Sequence, residues 1–207
     1  MFFCDTGQAP VTPCGGYAAM IPILPPSEDI GTDRDSHFHV VLVEPEIPPN
    51  TGTIARLCAG TDTHLHLVKP LAFALDDSKL RRAGLDYWPN VHLSVHESFS
   101  EILDLFGRER LHLFTTKSER RVGNVQFRLG DALVFGPETR GLSLAIRTPL
   151  QDRCVTLPIR KDHIRSLNLA VSTAIGLYEA LRQVDYAPID SMPPDAVLLD
   201  NPEHFYE

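Results

Sequence analysis

Apolar and polar positions along this chain fall into two alternating patterns: short apolar runs, and longer segments in which apolar residues return every three or four positions. The runs are His39-Val40-Val41-Leu42-Val43, His64-Leu65-His66-Leu67-Val68, Val91-His92-Leu93-Ser94-Val95, Leu111-His112-Leu113-Phe114-Thr115-Thr116, Asp131-Ala132-Leu133-Val134-Phe135 and Arg153-Cys154-Val155-Thr156-Leu157-Pro158. A strand covered on both faces needs such continuous apolarity, so the runs predict strands of a buried, mainly parallel sheet. Between them, Asn50 reads as the N-cap of a helix and 76–85 as a short charged helix. Phe99, Ile102, Leu103 and Phe106 share one face of a helix over 98–106, and 142–146 makes a further short helix. Ser166-Leu167-Asn168 opens a last helix, whose Leu169, Ala170, Ile175, Leu177, Tyr178 and Leu181 provide a broad apolar face. Strand and helix in alternation imply an α/β domain with helices on both faces of the sheet.

The strand ends carry the chemistry. After Val43, the prolines of Glu44-Pro45-Glu46-Ile47-Pro48-Pro49 predict an extended loop. Val134-Phe135 stops at Gly136-Pro137, where Pro137 has no N–H for the ladder and Gly136 lets a ligand approach the backbone. In open α/β sheets, ligands bind beyond the carboxyl ends of the strands. Read alone, Gly136-Pro137 also fits an ordinary strand-to-helix turn, and Arg56 also fits a solvated position on a capped surface helix. Arg81 and Arg82, followed by Tyr87 and Trp88, offer an RNA-backbone patch with a stacking surface, or equally an exposed charged helix with its aromatics in the core. Arg120, Arg121 and Arg128 flank a loop suited to phosphates, and the loop 159–165 is basic. His64 and His66 share one face of their strand, but with no third ligand nearby in sequence they predict a wetter face and no metal.

Composition narrows the class. The chain has 207 residues, 43% hydrophobic and 22% charged, enough for one domain with a sizeable core. Its net charge of −8 supplies no bulk basic field, so any nucleic-acid binding must rest on a local patch. Cys4, Cys14, Cys58 and Cys154 show neither CxxC nor zinc-ligand spacing, which predicts reduced thiols in a cytoplasmic protein. Neither a secretory signal nor a run long enough to span a bilayer is present. Residues 1–36 and 185–207 are rich in Pro, Asp and other breakers and predict a flexible arm and a tail around a domain over 37–184. There is no GxGxxG and no P-loop, which argues against the usual dinucleotide and ATP folds.

Taken together, three blocks resemble the SPOUT class of RNA methyltransferases, and within it the YibK-type tRNA wobble-nucleotide 2′-O-methyltransferases. They are Glu44-Pro45-Glu46-Ile47-Pro48-Pro49-Asn50-Thr51-Gly52 with Arg56, then Phe135-Gly136-Pro137-Glu138-Thr139-Arg140-Gly141-Leu142, then Leu157-Pro158 with Arg165-Ser166-Leu167-Asn168-Leu169. Leu80-Arg81-Arg82-Ala83-Gly84-Leu85-Asp86-Tyr87-Trp88 and Phe114-Thr115-Thr116-Lys117 also match, so the resemblance spans about 38–183. It implies a mainly parallel sheet with a C-terminal trefoil knot, and a homodimer that contacts RNA near Tyr178 on the last helix. It further implies S-adenosylmethionine held by Phe114, Gly136, Leu157 and Ser166 without a metal. The reaction expected of such a protein is methylation of the ribose 2′-hydroxyl at position 34, cytidine or 5-carboxymethylaminomethyluridine, in a tRNA anticodon loop. Arg56 would be the catalytic group, with Asn50, Arg81, Arg82, Glu138 and Arg140 on the RNA. One departure concerns Ala170-Val171-Ser172-Thr173, where the YibK-type pattern has Ser-Asn-Ala-Val. Methylation of another RNA such as rRNA, or a non-catalytic knotted RNA-binding protein, therefore stays open.

Overall fold

Strand register accounts for the unbroken apolar runs. In the computed structural model, which describes residues 34–74 and 90–190, six strands form one sheet in the order β3-β2-β1-β5-β4-β6. They are β1 (His39–Val43), β2 (His64–Val68), β3 (Leu93–His96), β4 (Leu111–Phe114), β5 (Ala132–Phe135) and β6 (Cys154–Val155), and each pairing between them is parallel. The helices are α1 (Pro48–Gly60), α2 (Phe99–Phe106), α3 (Leu144–Arg147), α4 (Leu169–Gln183) and α5 (Ala187–Asp190).

Successive residues of a strand face opposite sides of a sheet, and here both sides are covered. On one face Val40, Leu42, Leu65, Leu67, Leu133 and Phe135 pack against Ile54 and Cys58 of α1 and Leu177 and Leu181 of α4. On the other, Val41, Val43, Val68, Leu113 and Val134 meet Ile102 and Phe106 of α2. Each such side chain contributes roughly 1.5–3 kcal/mol when fully buried, so the two layers carry the domain.

Several sequence expectations need correction. Pro48 and Pro49 do not extend a loop; they begin α1, and Ile47 holds the N-cap position. The first turn of a helix tolerates proline because its N–H would be unpaired there and its φ is already helical. Asn50 consequently lies inside the first turn, where its side chain is available for other bonds. β6 is shorter than 153–158 and β4 ends before Thr115 and Thr116, so both strands give their last residues to loops.

The His64 and His66 face is not wet either. His66 is fully buried beneath α2 together with His39 and His96, and ring-to-ring hydrogen bonds satisfy polar atoms that burial would otherwise orphan. Arg34–Ser36 forms a 3-10 turn tied to the domain by an Arg34 Nη1 hydrogen bond to the Leu105 carbonyl at 2.5 Å. Cys58 and Cys154 are buried free thiols, and burial raises the pKa of both. Among the described residues no helix is long and apolar enough to cross a membrane. The expected helix 76–85, with Arg81, Arg82, Tyr87 and Trp88, lies outside the described residues, as do Cys4, Cys14 and most of the expected arm and tail.

Candidate active site

The strand order reverses between β1 and β5, and the loops leaving these neighbours open the crevice that such reversals create. A cleft of about 950 Å³ opens beside it, lined mainly by the loops after β4, β5 and β6, with Ile47 and Asn50 from the start of α1, and Phe114, Gly136, Leu157 and Ser166 all line it. The end of β4, the turn after β5 and the loop after β6 thus meet at one cleft.

Charged and amide side chains brace the loops around the cleft. Glu138 accepts hydrogen bonds from the Glu46 N–H at 2.8 Å, the Ile47 N–H at 3.3 Å and Asn50 Nδ2 at 3.0 Å. Its carboxylate therefore serves the start of α1, which has no side-chain cap of its own, and its charge suits a helix N-terminus. Glu46 reciprocates by accepting from the Thr139 N–H at 3.0 Å, the Thr139 hydroxyl at 2.7 Å and Arg140 Nη1 at 2.8 Å. The Thr139 hydroxyl, then its N–H, then the Arg140 charge hold the Glu46 carboxyl below its ordinary pKa. Arg140 also bridges to Glu44.

Asn50 ties in a third loop. Because its Nδ2 faces a carboxylate, which only accepts, its Oδ1 is turned to Asn168 Nδ2 at 3.0 Å. Asn168 in turn caps α4, its Oδ1 accepting from the Ala170 N–H at 2.8 Å and the Val171 N–H at 3.3 Å. One amide pair thus locks the loops after β1 and β5 to the start of α4.

Two glycines permit close passage of the chain itself. A Cβ on Gly136 would lie 2.2 Å from Leu142 N and 2.5 Å from Gly141 C, so the turn 136–142 folds back over Gly136. The chain's own backbone therefore fills the side of Gly136 that a Cβ would take, while Gly136 itself still lines the cleft. Gly176 of α4 sits on Phe114, where an added Cβ would come within 2.7 Å of Cε1, and Phe114 also stacks on Phe135 at 4.6 Å. Gly176 was not among the residues singled out from the sequence; a glycine inside an otherwise continuous helix was the available signal.

The remaining assignments divide. Asn50, Glu138 and Arg140 line the cleft, but the bonds described above engage their polar groups. Arg56 is exposed on α1 and Tyr178 is 48% exposed on α4, and neither lines the cleft. Lys117, Arg147, Lys161 and Arg165 do line it and give the acidic chain a local basic rim. Of these, Lys161 is tied to the Thr116 carbonyl at 3.0 Å and Arg147 to the Leu142 carbonyl at 2.9 Å. The basic character of 159–165 points to this rim and Lys117 closes a matched block, while Arg147 has no such signal.

The cleft's volume falls in the range of small-molecule sites, and its lining fits S-adenosylmethionine. Phe114, Leu157 and Leu169 offer an apolar bed, Thr115, Thr116 and Ser166 offer hydroxyls, and the loops present backbone donors and acceptors. A sheet of parallel strands with a cleft beyond its carboxyl ends is the arrangement of a ligand-binding α/β domain. The chain belongs to the SpoU rRNA Methylase family, whose pattern matches residues 37–178.

Among its relatives, a protein of Methylovorus glucosotrophus (strain SIP3-4) is 50% identical over 153 residues, covering 72% of this chain and 97% of the relative. One of Escherichia coli (strain K12) is 43% identical over 164 residues, covering 79% and 99%. Both are named tRNA (cytidine(34)-2′-O)-methyltransferase. A solved structure described by "2-OH methylation of C/U34 on tRNA" superposes with a TM-score of 0.68 at 43% identity, covering 72% of this chain and 97% of that one. The SpoU methyltransferase AviRb of Streptomyces viridochromogenes, in complex with the cofactor AdoMet, gives a TM-score of 0.63 at 26% identity, covering 73% and 59%.

Proposed function

We propose that this chain transfers the methyl group of S-adenosylmethionine to the ribose 2′-hydroxyl of the wobble nucleotide of tRNA, position 34, where it takes cytidine or 5-carboxymethylaminomethyluridine. The observation that carries this reading is the convergence of Phe114, Gly136, Leu157 and Ser166 on one cleft, in a chain whose relatives at 43–50% identity bear that activity in their names.

When bound, S-adenosylmethionine supplies a methyl group already activated on a sulfonium. The chain's own task is to hold a ribose hydroxyl in line and to provide for its proton. Phe114 and Leu157 bed the adenine side of the cleft, and the backbone at Gly136, Leu157 and Ser166 supplies donors and acceptors. Lys117, Arg147 and Arg165 draw the RNA backbone to the rim through its phosphates. A guanidinium keeps its protons near neutral pH, so Arg56 acts by holding the ribose-phosphate and stabilising the developing alkoxide, while solvent or a phosphate oxygen takes the proton.

The working unit is a homodimer. Support comes from Val171, Ile175 and Tyr178, three exposed residues in one row on α4, beside α1. In that assembly an Arg56 that does not line its own chain's cleft serves the other copy's. The C-terminal segment forms a trefoil knot, a reading supported by the grip of the 115–122 loop on the segment after β6. There Thr115 N–H donates to the Val155 carbonyl, Thr156 N–H to the Arg120 carbonyl and Val122 N–H to the Thr156 carbonyl. The methyltransferase domain is 37–184, flanked by an arm and a tail, and acts on the tRNA anticodon loop in the cytoplasm.

Arg56→Ala is expected to abolish methylation of tRNA while calorimetric affinity for S-adenosylmethionine stays within twofold of the parent. Full turnover by the variant rejects the Arg56 assignment. Mapping of 2′-O-methyl groups in cells with and without the protein should show the loss at position 34 of tRNA; a loss confined to rRNA rejects the substrate.

A further inference from the structure

A group of histidines at the amino-terminal end of the sheet, away from the cleft, has no part in the methyl transfer. His39 opens β1 and His64 opens β2, and parallel register sets them side by side. The two-residue repeat of a strand puts His66 on the same face as His64. One ring nitrogen from each of the three lies within 4.8 Å of the others. Phe106 of α2 closes the group from above, with ring centroids 4.8 Å from His39 and 5.5 Å from His66. His64 is partly exposed and gives the group an opening to solvent.

The hydrogen-bond chain through these rings has a direction. His39 Nε2 lies 3.0 Å from the Arg34 carbonyl, which only accepts, so Nε2 carries the proton and Nδ1 is a bare lone pair. His66 Nε2 must then donate to His39 Nδ1 at 3.0 Å, and His96 Nε2 must donate to His66 Nδ1 at 3.0 Å. This leaves His96 Nδ1 bare. It is buried without a hydrogen-bond partner, and the nearest polar group is a second acceptor, Glu101 Oε2, at 3.4 Å. The chain of neutral rings therefore ends in a mismatch.

We propose that His39 Nδ1, His66 Nε2 and a ring nitrogen of His64 form a binding site for a zinc-class divalent cation, with His96 and Glu101 as its supporting shell. The donor set is imidazole alone, which suits zinc, cobalt, nickel or copper and not magnesium or calcium. A cation at His66 Nε2 displaces the proton there and moves it to His66 Nδ1, which donates to His96 Nε2. His96 carries its own proton on Nδ1 and donates it to Glu101. The three rings keep the same number of protons, and the mismatch disappears. A carboxylate behind a histidine behind a metal-bound histidine is the usual outer support of such sites.

The spacing agrees with this. Two nitrogens on a tetrahedral zinc with bonds of about 2.0–2.1 Å sit roughly 3.3 Å apart, close to the 3.0 Å between His39 and His66, whose rings must each turn by roughly 35° for both lone pairs to meet at one ion, while His64 must move in from its stack between His37 and His92. The third ligand comes from β1, across the sheet, which is why a search along β2 alone finds none.

The test uses the full chain, stripped with a chelator and titrated with zinc chloride by calorimetry and with cobalt chloride by visible absorption. One equivalent of zinc should bind, cobalt should show the intense ligand-field bands of a tetrahedral site, and zinc should raise the unfolding temperature. His64→Asn, at a partly exposed position, should weaken zinc at least tenfold while folding normally, whereas His163→Asn in the exposed 159–165 loop should leave binding unchanged. Nitrogen NMR should find the His96 proton moving from Nε2 to Nδ1 on zinc addition. Absence of binding to the parent chain, undiminished binding by His64→Asn, or an unmoved His96 proton overturns the proposal. None of these readouts depends on methyl transfer.

Discussion

Replacing Gly136 by alanine probes the tightest turn of the site. The new methyl would be placed 2.2 Å from Leu142 N, 2.5 Å from Gly141 C and 2.8 Å from Leu142 Cα, where relaxed non-bonded contacts are roughly 3.5–4.0 Å. All three atoms are backbone, so no side-chain rotation relieves the overlap and residues 141–142 must move by about 1 Å or more. The cost should reach the upper end of overpacking, about 3 kcal/mol, which for a domain of this size lowers the unfolding temperature by about 6–12 °C. The shift also displaces Leu142 and its neighbours in the cleft, so affinity for S-adenosylmethionine should fall at least tenfold.

Gly141→Ala is the matched control in the same turn. Gly141 has φ of 66° and a methyl added there would meet nothing within 4 Å, so its substitution carries only the left-handed penalty of about 1–2 kcal/mol. Thermal unfolding followed by circular dichroism, with calorimetric titration of S-adenosylmethionine, compares the two. If Gly136→Ala unfolds at the parent temperature and binds with parent affinity, or if Gly141→Ala proves the more damaging, the account of this turn is wrong.

Two further outcomes are expected. Asn50→Ala removes a donor from Glu138 and leaves Asn168 Nδ2 without its acceptor, so the protein should lose about 1–2 kcal/mol in denaturant unfolding and most of its methylation rate; a variant with parent stability and rate would show that the amide pair is idle. Acid should destabilise the metal-free fold early. His39 has its pKa lowered on folding to about 3, so its contribution is complete above the unfolded value near 6.5 and is lost as pH falls from there toward 3. At pH 5 the loss from His39 alone is about 2 kcal/mol, and His66 and His96 act in the same direction. An unfolding temperature that stays flat between pH 7 and 5 contradicts this.

What could be read beforehand follows from how local each cause is. The apolar runs depend on covering both sheet faces, and the turn at Gly136-Pro137 on Pro and Gly chemistry, so the strands and that turn were legible locally; Phe114, Leu157 and Ser166 were named only through the resemblance to the family's blocks, and their place in one cleft depends on how three loops pack. Asn50 was assigned its local capping preference, but Pro48 and Pro49 had already started the helix, and the Glu138 carboxylate from β5's loop took over the cap. His66 looked wet because its partners, His39 and His96, belong to other strands, and cross-strand register leaves no mark at a fixed spacing. Arg56 was legible as a residue of the family's pattern, while its place outside its own chain's cleft depends on how α1 packs.

The strand order has a consequence during synthesis. β1 needs β5 along one edge, and β5 begins about 90 residues after β1 ends. At about 5–20 residues per second, a nascent chain holds that edge of β1 unpaired for roughly 5–20 s after making it. The first three strands therefore leave the ribosome as an unfinished half-sheet, and conditions that slow translation between them and β5 should increase the share of chains captured by chaperones or lost to aggregation.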